Sequence, residues 1–259
     1  MKLAGRVAIV TGGGRGIGRA IALRFAAEGA AVTVCGTGRA HLDATAAEIV
    51  AAGGRALAFV ADVADEAAVK RMIDTTVARF GQLDILVNNA GIAGPTAPVA
   101  DARCEDWERT LAINLTGAFL CAKHAIPLLV AAGEGRIINI TSIAGKIGYA
   151  LRAAYAASKW GMIGLTRSLA LELGERGVTV NAIAPGSTRG ERLAGVMRDR
   201  AAALGRTPAD IEREFFVGPT ALKRMVEPEE IAATAVFLAS DEARNITGET
   251  IAVTAGFRV

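Results

Sequence analysis

Two side chains four residues apart carry the clearest chemical signal in this sequence. Tyr155 and Lys159 stand in Tyr155-Ala156-Ala157-Ser158-Lys159. That i, i+4 spacing on a helical pattern puts a phenol and an ammonium on one face. A cation beside a phenol favours the phenolate, and such a pair can give or take a proton at a carbonyl oxygen. Ser142 ends the run Ile140-Thr141-Ser142 and could hold the same oxygen. Taken alone, a Tyr/Lys pair on a helix is more often a surface pair than a catalytic one. Two further polar signals lie upstream: Asn88-Asn89-Ala90-Gly91 closes an apolar run, and Asn114 sits in the helical stretch after it.

A second constellation could hold an anion. Thr11-Gly12-Gly13-Gly14-Arg15-Gly16-Ile17-Gly18 follows the first apolar run and opens the first helix. Glycines there let backbone N–H groups approach a diphosphate at the helix N-terminus. Glycines also build ordinary tight turns, so the placement at a strand-to-helix turn gives the motif its weight. A carboxylate about 20 residues on takes the ribose 2′-OH in folds of this kind. Here that position is Gly36, and Gly36-Thr37-Gly38-Arg39 contains no acid. Nothing there would repel a 2′-phosphate, and Arg15 and Arg39 could pair with it. The side chains favour NADP(H), with NAD(H) as the alternative; the ordinary role of such arginines is to be solvated at the surface. Asp62-Val63 follows the third strand pattern, where a carboxylate could accept from an adenine amino group. Asp65 is better placed to cap the next helix.

Strands and helices must alternate to position these groups. Strand patterns fall at Val7–Val10, Ala31–Cys35, Ala56–Val60, Ile85–Val87, Ile137–Ile140, Val178–Ala182 and Thr250–Val253. Helical patterns fall between them at Gly16–Glu28, Ala40–Ala52, Glu66–Phe80, Trp107–Val130 and Ala154–Glu175, with Pro228–Ala239 opened by Pro at its first turn. Short apolar runs without strict alternation suit strands buried on both faces. The repetition predicts an α/β Rossmann fold: one doubly wound parallel sheet of about seven strands, with right-handed crossovers. No linker divides the chain, so residues 1–259 read as one domain. The one irregular stretch, Ser187–Pro219, is polar, Arg-rich and broken by Gly and Pro, and a segment of that kind reads as a substrate lid.

Composition bounds the rest. Hydrophobic residues make up 52% of the 259 residues and charged residues 21%, enough apolar material for a sizeable core and against wholesale disorder. Net charge is only +3 with the signs interspersed, and aromatics are 5%, which offers neither a basic patch nor stacking platforms for nucleic acid. No uncharged apolar run reaches about 18 residues, so no membrane span is expected. Cys35, Cys104 and Cys121 are odd in number and far apart, which reads as free core thiols in a reducing cytoplasm. The first residues run straight into a strand pattern without an export signal. Only His41 and His124 are present and neither sits in a ligand cluster, so no metal is expected.

Taken together, these residues resemble the short-chain dehydrogenase/reductase family, and the chain is similar to its 3-oxoacyl-ACP-reductase-like members. The resemblance spans about residues 4–255. Its T-G-x-x-x-G-x-G is Thr11–Gly18, its N-N-A-G is Asn88–Gly91 and its Y-x-x-x-K is Tyr155–Lys159, with Ser142 thirteen residues before the Tyr and Pro185-Gly186 late in the chain. The resemblance implies a tetrad of Asn114, Ser142, Tyr155 and Lys159. Lys159 would also bind the nicotinamide ribose, Asn114 would hold a water in a proton relay, and Thr188 would lie near the carboxamide. The cofactor side would comprise Gly12, Gly14, Arg15, Gly16, Ile17, Gly18, Thr37, Arg39, Asp62, Val63, Asn89, Ala90, Gly91, Tyr155, Lys159, Pro185, Gly186 and Thr188. Two departures stand out. Gly190 occupies a position where family members often carry Thr, and Thr254-Ala255-Gly256 replaces the usual Asp-Gly-Gly.

The activity implied is hydride transfer between a nicotinamide and the carbon of a small-molecule ketone or secondary alcohol. An NAD-dependent alcohol dehydrogenase of the same family is the alternative. A cofactor-binding scaffold without turnover ranks lower, because its usual sign is a broken tetrad. The longer epimerases and dehydratases of the extended fold need a larger C-terminal part than this chain has. The resemblance also implies a homotetramer packed through residues 107–130 and 154–175 and the C-terminal strand region. The pocket is expected along Gly94–Thr96, Ala144–Arg152 and the lid. Arg152, Arg189 and Arg192 could face it and bind an anionic group, although solvated or interfacial arginines are commoner. Ile147, Leu151, Phe215 and Phe216 could line an apolar pocket or simply pack in the core.

Overall fold

A computed structural model describes residues 1–257. Seven parallel strands form one sheet: β1 (Val7–Thr11), β2 (Ala31–Gly36), β3 (Arg55–Val60), β4 (Ile85–Asn88), β5 (Arg136–Ile140), β6 (Thr179–Pro185) and β7 (Thr250–Val253). Their order is β3-β2-β1-β4-β5-β6-β7. The chain therefore winds outward from β1 in one direction and from β4 in the other, leaving a crevice above the β1/β4 junction. The register pairs Ile9 with Thr33 on one side and with Leu86 on the other.

The helices are α1 (Gly16–Ala27), α2 (Arg39–Ala51), α3 (Glu66–Phe80), α4 (Cys104–Leu111), α5 (Gly117–Ala131), α6 (Ala153–Leu173), α7 (Glu191–Leu204), α8 (Pro208–Ile211) and α9 (Pro228–Ala239). Alternation along the strands sorts the core into two layers. Ala8, Val10, Val32, Val34, Ile85 and Val87 face α1 and α9, while Ile9, Cys35 and Leu86 face α3, α5 and α6. Both layers exclude water, as a parallel sheet requires. A fully buried side chain such as Leu86 contributes about 1.5–3 kcal/mol by leaving water.

Three sequence expectations are corrected. The stretch after Ser187 is not irregular: α7 and α8 occupy most of it. Gly205 closes α7 in the left-handed conformation, and Thr207 caps α8 with Pro208 at its first position. The breakers thus sit at helix ends. The helix expected over residues 107–130 starts at Cys104 and carries a π-helical turn at Ala112–Thr116. Its whole run, Cys104–Ala131, is long and apolar enough by length and composition to cross a membrane. Here Leu120, Cys121, Ala122, Ala125 and Leu129 are buried in the core layer shared with α3. Finally, Cys35 and Cys121 are buried but Cys104 is exposed, and all three are free.

The departures from the family pattern have backbone correlates. Gly190 adopts φ 148 immediately before α7, a conformation open to Gly and strained for Thr. Ala255 adopts φ 53 where the family pattern has Gly.

Candidate active site

The C-terminal ends of β1, β4, β5 and β6 surround one cleft of about 1300 Å³. At one end lies the glycine-rich turn. Asn89 fastens it to β4: its Nδ2 donates to Thr11 O (2.8 Å) and Gly12 O (3.3 Å). Thr11 Oγ1 in turn accepts from the N–H groups of Asn89 and Ala90, both at 3.0 Å. A Cβ on Gly12 would stand 2.7 Å from Asn89 Nδ2, and one on Gly18 closer still. These glycines are demanded by packing as well as by any ligand. Gly14, Arg15, Gly16, Ile17 and Gly18 line the cleft, and a Cβ on Gly16 would meet nothing within 4 Å. Helix α1 begins without a side-chain cap and without an acid in its first turn. Its first N–H groups are therefore open to an anion.

The other predicted cofactor residues are more dispersed. His41 and Thr45 of α2 line the cleft beside the turn, although the sequence reading did not select them. Gly12, Thr37, Arg39, Asp62, Val63 and Ala90 lie outside the residues lining it. Arg39 sits 3.6 Å from Asp43 in an exposed ion pair. Asp62 accepts from Ala64 N (3.0 Å) and pairs with Arg109 (2.6 Å). Partial burial would raise its carboxyl, but those two partners outweigh burial and hold it below the usual carboxylate range. Asp65 caps α3, accepting from Ala68 N at 3.1 Å. Asn89, Gly91, Pro185, Gly186 and Thr188 all line the cleft.

Deeper in, α6 presents Tyr155 and Lys159 to the cleft, across from Ser142 at the end of β5. Lys159 is 3% exposed. Its Nζ donates to Ile140 O (2.9 Å), lies 3.4 Å from Met162 Sδ and stands 5.8 Å from the Tyr155 ring centroid. Burial pulls its pKa down to about 7, with the Arg192 charge adding to the effect. Ser142 Oγ accepts from Ala144 N (3.1 Å), which leaves its hydroxyl hydrogen free to donate. Asn114 is fully buried within the π-helical turn, a kind of bulge common at functional sites. Its Oδ1 accepts from Ile92 N (2.7 Å), and its Nδ2 donates to Ile92 O and Ser158 Oγ, both at 3.0 Å. Asn114 thus sits behind the cleft wall, and a Cβ on Gly91 would lie 3.0 Å from its Oδ1 and 3.7 Å from Lys159 Nζ.

Residues 187–219 cover the remaining side. Arg192 of α7 donates to Gly91 O (2.9 Å), tying this segment to the end of β4, and Arg189 pairs with Glu227 (2.9 Å). Arg152 is buried and lines the cleft, as do Ile147, Phe215 and Phe216. Gly94–Thr96 and Leu151 do not line it. Tyr149, within the expected Ala144–Arg152 stretch, and Arg200, within residues 187–219, also face it. Among the described residues no group of three His, Cys, Asp or Glu side chains is placed to hold a metal ion.

A doubly wound sheet with an uncapped helix start at its switch point, and a Tyr–Lys helix beside it, defines a nicotinamide-dependent oxidoreductase. The chain belongs to the short-chain dehydrogenase/reductase family: the family model described as Enoyl-(Acyl carrier protein) reductase matches residues 12–258. It is 43% identical over 256 residues to a 3-oxoacyl-[acyl-carrier-protein] reductase of Synechocystis, covering 98% of this chain and 97% of that one. It is 42% identical over 252 residues to a cis-4-hydroxycyclohexanecarboxylate dehydrogenase of Sinomonas cyclohexanicum, covering 97% and 96%. Among solved structures, an NAD+-bound xylitol dehydrogenase superposes with TM-score 0.95 at 35% identity over 99% of this chain and all of that one. An actinorhodin polyketide ketoreductase variant with NADPH superposes with TM-score 0.93 at 34% identity over 98% and 97%.

Proposed function

We propose that the protein is an NADP(H)-dependent oxidoreductase that interconverts a ketone and a secondary alcohol, with Ser142, Tyr155 and Lys159 at the reacting atoms and Asn114 positioned behind them. The observation that carries this reading is Lys159. It is a buried ammonium beside the Tyr155 ring, held by a backbone carbonyl and with no carboxylate ion pair among the described residues. Burying a cation without a counter-ion is costly, and stabilising a phenolate gives that cost a purpose.

The cleft fits a dinucleotide because the start of α1 offers unpaired N–H groups and Gly16 leaves open space above them. The glycine-rich turn would hold the diphosphate, and Lys159 and Tyr155 would face the nicotinamide ribose. When bound, the nicotinamide supplies or accepts the hydride. In the reductive direction Tyr155 gives its proton to the developing alkoxide, Ser142 donates a hydrogen bond to the same oxygen, and Lys159 stabilises the phenolate left behind. The segment over residues 187–219 acts as the lid that excludes water, anchored by Arg192 on Gly91.

The phosphate preference rests on Gly36 and on Arg15 and Arg39. With no acid at the ribose position and Arg15 lining the cleft, a 2′-phosphate meets attraction without repulsion. Titrating the protein with NADPH and NADH under matched conditions tests this. Tighter NADPH binding, followed by ketone reduction, is the expected result. Tighter NADH binding would make the two arginines surface residues and point to alcohol oxidation, and binding of neither would revive a scaffold. The three free cysteines fit a reducing compartment, and the reading is of a cytoplasmic homotetramer that binds neither nucleic acid nor membrane.

A further inference from the structure

Two buried arginines at the cleft have no role in the chemistry described above. Arg152, just before α6, is 3% exposed, and Arg200, in α7 of the lid, is 9% exposed. Both line the cleft. Arg152 donates from Nη1 to Thr96 Oγ1 (2.6 Å) and from Nη2 to Ala93 O (2.7 Å), while its Nε is buried without a partner. The Arg200 guanidinium lies 4.2 Å from the Phe215 ring centroid and 6.0 Å from that of Tyr149, and its Nε is likewise buried without a partner. Among the described residues no carboxylate forms an ion pair with either. Asp199 is the acid whose charge is felt at Arg152, together with the repulsion of Arg200 itself. Of the residues lining the cleft only Glu191 is acidic.

Fully buried arginines are rare unless paired, so two of them in one cavity call for an anion from outside the chain. The cofactor's phosphates do not answer that need. The neighbours of the two guanidinium groups are Ala93, Thr96, Tyr149, Tyr155 and Phe215, none of them in the glycine-rich turn. Arg152 lies 5.9 Å from the Tyr155 ring centroid, and both residues line the cleft. The local backbone is bent to put it there: Leu151 adopts φ 65, a conformation rare for a bulky residue. On α7, Arg200 interrupts a stripe of Leu193, Val196, Met197 and Ala201 that packs in the lid's apolar cluster. An apolar residue would suit that stripe better if packing were the only demand.

We propose that Arg152 and Arg200 together bind a carboxylate on the substrate, so that the enzyme acts on free oxo or hydroxy acids whose carboxylate lies a few carbons from the reacting carbon. A guanidinium fork matches a carboxylate, and the burial of both arginines strengthens the attraction. A neutral thioester or simple ketone would leave both charges buried and unmatched. The word substrate here rests on the oxidoreductase reading of the same cleft; the anion site rests on the arginines alone.

Steady-state rates with NADPH on 4-oxopentanoate and 5-oxohexanoate, each against its methyl ester, test the proposal. The acid should win in kcat/KM by about tenfold or more for at least one chain length, the worth of one charge-assisted hydrogen bond. Arg152→Gln and Arg200→Gln should each collapse the acid-to-ester ratio towards one, and Arg200→Lys should keep part of it. Arg213→Gln removes an exposed arginine of the same segment that pairs with Asp210 (2.5 Å) and does not line the cleft, and its ratio should match the parent's. Equal kcat/KM for acid and ester in the parent protein would overturn the proposal, as would a ratio that survives both glutamine variants or falls equally in Arg213→Gln. A second readout needs no turnover. Unreactive pentanoate should raise the melting temperature of the NADPH-saturated protein more than equal chloride does, and should not do so in Arg200→Gln. No such shift in the parent overturns the anion site. A shift without reduction of any ketone sinks the oxidoreductase reading and leaves the anion site standing.

Discussion

Lys159 shows how a single residue couples chemistry to stability. Its ammonium is kept from water by Ile140, Met162 and the Tyr155 ring, and burial lowers its pKa to about 7. In the unfolded chain it keeps its ordinary value of 10.5. Between those values the unfolded chain binds more protons than the folded one, so stability rises with pH across that window. The cost of burying the charge is greatest below about pH 7. Lys159→Met removes this titration. Its melting temperature relative to the parent protein should therefore stand higher at pH 6 than at pH 9.5, and a gap that is flat or grows with pH would contradict the buried ammonium. Tyr155 carries the complementary test. Tyr155→Phe keeps the ring that Lys159 and Arg152 pack against and removes only the phenol hydroxyl. It should bind NADPH like the parent and lose turnover by at least ~10²-fold; near-normal kcat on a good substrate would refute its role.

At the scale of elements, the glycine-rich turn joins the sequence motif to the fold. Gly12 has φ 66 and faces Asn89 Nδ2, whereas Gly53 has φ 83 and open space around it. Gly53→Ala should therefore cost only the left-handed strain, about 1–2 kcal/mol. Gly12→Ala adds displacement of the amide that bolts β1 to β4, so urea unfolding should show a larger loss, accompanied by weaker NADPH binding. Equal losses would mean that Asn89 bears no load there. The same turn explains why so much was legible in the sequence. Strand runs bounded by glycine, with helical patterns between them, leave few parallel arrangements, and Gly12–Gly18, Ser142, Tyr155 and Lys159 keep short spacings that survive any uncertainty at element ends. The π-helical turn at Ala112–Thr116 was not legible, because Asn114 turns inward through backbone geometry that no residue type announces. The helices of residues 187–219 were hidden for a related reason. Helix α7 has the apolar stripe of a core-facing helix, but Arg200 stands in that stripe and makes the segment look solvated. Likewise Asn88, Asn139 and Thr166 form a buried polar row between β4, β5 and α6, which only the strand register brings together.

For the whole molecule, the surface has apolar area left to cover. Among the described residues, four of the ten large hydrophobic side chains that remain exposed, Trp107, Phe119, Trp160 and Leu171, lie on the helices expected to mediate assembly. Leu171 is 87% exposed and Trp160 52%, and large apolar side chains gathered on long helices are what a subunit contact would bury. The seams between α5 and α6 of neighbouring copies would then also shield the outer side of the helix that carries Tyr155 and Lys159, so assembly would stiffen the site from behind. Light scattering should give about four times the 26.6 kDa chain mass. Leu171→Glu and Trp160→Glu place a charge where a partner would have to desolvate it. Together they should shift the mass towards dimer or monomer and lower the melting temperature while leaving the monomer's own core intact, because neither side chain contributes to it. A parent protein that scatters as a monomer would refute the tetramer. An unchanged mass in the double variant would move the interface away from α6 and leave the exposed stripe to be explained by another partner surface.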